Sequence, residues 1–139
     1  MSKARELNSV ALAYIGDAVY ELYVRHHLIN KGGVKPQQLH EEAVQFVSAP
    51  AQATVVKQWL HKDLLTKEER SIVRRGRNAK THSVPKNITI EDYKYATAFE
   101  ALIGYHYLNS TKDRLEELIQ YALTMNEKHG EGEEKTDER

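Results

Sequence analysis

The sequence contains no cysteine, only three prolines and no net charge, twenty lysines and arginines being set against twenty aspartates and glutamates. Without cysteine, disulfides, thiolate metal sites and cysteine nucleophiles are excluded together. Long apolar runs are missing as well: nothing approaches the roughly 20 residues of a membrane span, and residues 1–7 lack the apolar core of a signal peptide. A cytoplasmic protein without a membrane partner is expected. Alternating strand patterns of useful length are also absent, as are repeats at solenoid spacing.

What remains is helical. The 139 residues suffice for one core but not for two ordinary domains. We expect an all-α domain of about six helices over 1–128, and a disordered charged tail over 129–139. Leu12, Ile15, Val19, Leu22 and His26 recur at helical spacing until Gly32-Gly33. Pro36 suits the first turn of a second helix striped by Leu39, Ala43 and Phe46, and Ala53, Val56 and Trp59 mark a third. Thr66-Lys-Glu-Glu69 has the form of a capping box opening a fourth helix towards Arg75. Gly76–Ile88 reads as a loop, Thr89 caps a fifth helix that runs to Leu108, and Leu115, Leu118, Ile119 and Ala122 stripe a sixth that ends near Asn126.

Two of these helices are apolar nearly all round, yet each carries isolated acids. In the first, Asp17 and Glu21 lie one turn apart; in the fifth, Glu100 is the lone charge between Tyr95 and Leu108. Carboxylates at or near an interior need compensation. Gly16 and Gly104 within the same helices suggest that the two pack closely, which would bring the acids together. Converging carboxylates suit Mg2+, which takes one or two of them plus water and phosphate oxygens, and which activates water for phosphodiester hydrolysis. Structural ion pairs would use the same residues, and the pattern alone leaves both readings open.

Tyr14-Ile-Gly-Asp-Ala-Val-Tyr-Glu21 resembles the signature of the ribonuclease III family, and Phe99-Glu-Ala-Leu-Ile-Gly104 resembles that family's second acidic motif. The resemblance spans about 7–123 and covers the catalytic domain alone. With Val24-Arg-His-His-Leu28 and Arg74-Arg-Gly-Arg-Asn-Ala-Lys80, it points to the Mini-III branch, which lacks a double-stranded-RNA-binding domain. It implies a ribonuclease III-like helical fold and a homodimeric, magnesium-dependent endoribonuclease that cuts double-stranded RNA. The implied substrate is precursor 23S ribosomal RNA, and the implied further partners are the ribosome or a large-subunit ribosomal protein. Asp17 and Glu100 take the places of the family's metal-binding aspartate and glutamate. Ala13 and Thr97 stand where further acids would be, so Thr97 and Glu21 are weaker candidates for the metal site. The same departures leave an alternative: an inactive RNA-binding or ribosome-associated protein on this fold.

Between Arg74 and Lys86 there are five basic residues and no acid. Arg74, Arg75, Arg77, Asn78, Lys80 and Lys86, with His82 and Ser83 among them, could contact the phosphates and 2′-hydroxyls of A-form RNA. A solvated loop is the plainer explanation, but a catalytic domain without a separate RNA-binding module must supply RNA affinity itself.

Overall fold

The computed structural model describes residues 3–33, 35–81 and 83–137, with side chains as far as 127. After a short 3-10 turn at Ala4–Glu6 come six α-helices: α1 (Ser9–Asn30), α2 (Pro36–Val47), α3 (Ala49–His61), α4 (Lys67–Arg77), α5 (Ile90–Leu108) and α6 (Lys112–Asp137). The described residues contain no strand, as the missing alternation led us to expect. His82 and residues 138–139 lie outside the described part.

The helix starts follow local chemistry. Asn8, Thr66 and Thr89 each accept the backbone N–H three residues ahead, and Glu69 returns the bond to the Thr66 N–H at 2.8 Å, completing the capping box. Pro36 occupies the first turn of α2. Two boundaries differ from expectation. Helix α4 continues through Gly76 to Arg77, because the absent side chain lets α4 lie on α5: a Cβ there would stand 2.8 Å from Ala98 Cα. The backbone of α6 stays helical past Asn126 to Asp137, through glutamates and a lysine that are good helix formers.

Helix α5 is the centre, with α1, α3, α4 and α6 packed around it. Ala98, Phe99, Ala101, Leu102 and Ile103 are completely buried. Trp59 from α3 stacks on Phe99 with centroids 5.4 Å apart, and Tyr20 from α1 meets the same ring edge-on at 4.7 Å. The α1–α5 crossing is closer than side chains allow. A Cβ on Gly16 would lie 1.8 Å from the Glu100 carbonyl oxygen, and one on Gly104 would lie 1.9 Å from that of Leu12. The two backbones touch directly, which is the reason these helices contain glycine.

The buried face of α1 is only in part the one its periodicity suggested, Leu12 and Val19 being buried and Ile15 packed against the core. Leu12, Ala13, Gly16, Val19, Tyr20, Val24 and Leu28 face inward, whereas Leu22 and His26 are exposed. An all-round apolar helix has no dominant period, so the glycine contact decides which side turns in.

A buried polar cross-link ties α4 to α5 and α6. The Glu69 carboxylate meets His106 Nε2 at 2.6 Å and Arg114 through Nε and a terminal nitrogen, both at 2.8 Å. Burial alone would raise the Glu69 pKa, but the bonds from Arg114, His106 and the Thr66 N–H outweigh it and hold the carboxyl well below its usual range. The capping motif was legible in sequence; its second use as an interhelical bridge was not.

Candidate active site

Because Gly16 brings α1 onto the backbone of Glu100, the next residue, Asp17, is delivered to the same place. The two carboxyl groups share a cleft of about 340 Å³ with Ala13, Gln52, Lys80, Lys94 and Thr97. Asp17 is exposed at its mouth, and Glu100 is only partly exposed to solvent. Burial, reinforced by the negative charge of Asp17, pushes the Glu100 carboxyl up to about 8, while Gln52 acts in the opposite direction. Near neutral pH Glu100 therefore keeps its proton, which a cation between the acids would displace.

Thr97 lies one turn before Glu100 in the cleft wall and donates its hydroxyl to the Tyr93 carbonyl at 3.0 Å. Its proton is thus committed, and towards the cleft its oxygen can only accept. Glu21 is placed elsewhere: it pairs with Arg25 at 2.9 Å beside the groove between α1 and α2. One helical turn carries it about 6 Å further along α1, beyond the cleft, so it does not join Asp17. Among the described residues, no group of three or more His, Cys, Asp or Glu side chains could hold a metal.

The basic segment is only partly at the site. Lys80 lines the cleft, with Thr81 and Pro85 beside it. Arg74 and Arg75 are exposed in the last turn of α4, where cations also complement the helix dipole. Arg77 lies over the Tyr95 ring, 5.9 Å from its centroid, and reaches the Tyr95 hydroxyl and Asn78. Asn78 and Lys86 are exposed and do not line the cleft.

Two cleft residues escaped the sequence reading. Lys94 stands three residues before Thr97, a helical spacing that could have revealed it. Gln52 is a polar residue at a buried stripe position of α3, four before Val56. Among the neighbouring aromatics, Trp59 and Tyr105 are buried, Tyr95 is half-buried and Tyr107 is exposed.

The family model of the Ribonuclease III domain matches residues 10–111 of this all-helical chain. The chain is 46% identical over 135 residues to a Mini-ribonuclease 3 of Enterococcus faecalis, covering 97% of this chain and 100% of that one. A Mini-ribonuclease 3 of Brevibacillus brevis is 51% identical over 118 residues, or 85% of this chain and 87% of the relative. A crystal structure of a Fusobacterium nucleatum protein superposes with a TM-score of 0.80 at 28% identity, covering 94% of this chain and 98% of the other. The chain belongs to the ribonuclease III family of endoribonucleases, in its Mini-ribonuclease 3 branch.

Proposed function

We propose that this endoribonuclease is magnesium-dependent, cuts double-stranded RNA as a homodimer in the cytoplasm, and matures precursor 23S ribosomal RNA. The carrying observation is the acid pair Asp17 and Glu100 in one cleft with Lys80 and Lys94. The donor set fits the cation, since Mg2+ needs only one or two protein carboxylates when water and phosphate oxygens complete its shell. Asp17 and Glu100 would hold it; once bound, it supplies charge to the scissile phosphate and acidifies a water. Lys80 and Lys94 neutralise neighbouring phosphates, and Thr97 accepts a hydrogen bond from water in the cleft.

The choice of 23S RNA, with the ribosome or a large-subunit ribosomal protein as a further partner, rests on kinship with the Mini-ribonuclease 3 relatives. Domain limits of 1–128, with 129–139 as a charged tail outside the catalytic unit, belong to the same reading. No helix among the described residues is long and apolar enough to cross a membrane.

The direct test incubates the protein with duplex RNA, single-stranded RNA and duplex DNA, with and without magnesium. Only duplex RNA with magnesium should be cut, and chelation should stop the reaction. Cleavage that persists in a chelator excludes the mechanism.

The homodimer is supported by the outer face of α1, where Val10, Tyr14, Leu22 and Ile29 are each more than half exposed, from 56% to 82%. Such a stripe, spaced by about one turn and carrying Ala18 between Tyr14 and Leu22, suits a self-complementary two-fold contact. Leu22→Asp should shift the solution mass to that of a monomer; a native protein that is itself monomeric where it cuts both strands would refute the dimer.

Replacing Arg74, Arg75 and Lys80 together by alanine should weaken duplex binding and lower its salt dependence, the slope falling by about 0.9 for each phosphate that is no longer neutralised. All three are exposed, so stability should barely change. An unchanged slope would place the duplex on another face.

A further inference from the structure

Gln52 has no role in the chemistry proposed so far, yet its position is costly. The residue is 2% exposed on the first turns of α3, its side chain lines the acid cleft, and its Nε2 is buried without a hydrogen-bond partner. Buried carboxamides are ordinarily satisfied, since an unmade hydrogen bond in the interior is expensive. The space beside it is taken by the Glu100 carboxyl. An N–H that donates to a carboxylate makes a charge-assisted bond, about twice as strong as a neutral one.

We infer that Gln52 is a positioning residue for the metal site: its buried Nε2–H is the donor that stands beside the Glu100 carboxyl and holds it towards Asp17. This assignment rests on Asp17 and Glu100 being the metal pair. It gives α3 a function, because its capped start at Ser48 sets the depth at which Gln52 enters the cleft. Residues behind metal ligands orient them and typically contribute about 10–100-fold to metal affinity or activity.

The test compares the native protein with Gln52→Leu and with Gln52→Met, whose flexible chain suits irregular space should the branched side chain prevent folding. Both replace an unpaired amide by apolar atoms and should fold as stably as the native protein. They should bind duplex RNA in a chelator with native affinity. The magnesium concentration for half-maximal cutting should rise by about 10-fold or more, and calorimetric titration with Mg2+ without RNA should show weakening by a similar factor. A native magnesium dependence in either folded variant overturns the assignment, as does failure of both to fold, which would make Gln52 structural. If the native protein cuts without any divalent cation, the metal reading fails and this inference falls with it. If the native protein needs magnesium and the variants match it, only Gln52 loses its role.

Discussion

Glu100→Gln should abolish cutting while leaving the metal-free protein as stable as before, or more stable. A carboxylate that binds the catalytic cation cannot be replaced by a neutral amide, and we expect a loss beyond the ~100-fold that residues behind metal ligands contribute. The stability half follows from the raised pKa. Between the ordinary carboxyl value near 4.5 and about 8, folded Glu100 retains a proton that the unfolded chain has released. Stability therefore falls as pH rises through that window, and the loss is complete above about 8. The amide has no proton to lose, so the variant should be the more stable at pH 8.5 by roughly 2–4 kcal/mol and close to native near pH 4.5. Urea unfolding in a chelator at both pH values measures the difference. A structural ion-pair role predicts the reverse, a neutral-pH loss of about 3–5 kcal/mol, because a buried cation would be left unpaired. Asp17→Asn should likewise fold, bind duplex RNA and fail to cut.

The second large effect is steric. In Gly16→Ala the new methyl would stand 1.8 Å from the Glu100 carbonyl oxygen and 2.8 Å from the Gly104 nitrogen. Both are backbone atoms within helices and cannot step aside, so α1 and α5 must separate along their whole contact. Overpacking of this kind costs about 3 kcal/mol or more, outweighing the roughly 1 kcal/mol that alanine gains over glycine in a helix interior. The melting temperature should fall by about 10 °C, given the unfolding entropy of a chain of this size. Activity should suffer even where the variant is still folded, because the spacing between Asp17 and Glu100 depends on the crossing. A variant that melts and cuts like the native protein would show that the helices do not touch here.

Much of this was legible in the residues. Pro36, Thr66 and Thr89 marked helix starts because capping is a local act of one side chain on its own backbone. The closeness of the acid pair was legible for a different reason: a lone carboxylate in an apolar helix needs compensation, structural or catalytic, and the glycines indicated that two such helices meet. The parts that failed depend on tertiary context. Which face of α1 turns inward could be read only in part, since apolar residues on all sides leave no moment to orient it. Glu21 resembled a partner of Asp17 by spacing, yet Arg25 on the same helix holds it. The basic segment was read as one mobile loop, but Gly76 is helical and Arg77 is occupied by Tyr95. Gln52 was invisible because glutamine at a helix surface is ordinary, and only its depth makes it unusual.

The backbone contact at Gly16 and Gly104 also bears on how the protein opens. Local fluctuations expose amides where packing is sparse, and the slowest amides exchange only when the whole domain unfolds. A crossing made of touching main chains at the centre of the bundle, with Phe99, Leu102 and Ile103 completely buried around it, lies at the slow extreme. The Asp17–Glu100 pair is attached to that crossing and not to a lid or a loop. On heating, the enzyme has no softer intermediate in which the chemistry fails first: cutting and the tertiary fold should disappear in one transition.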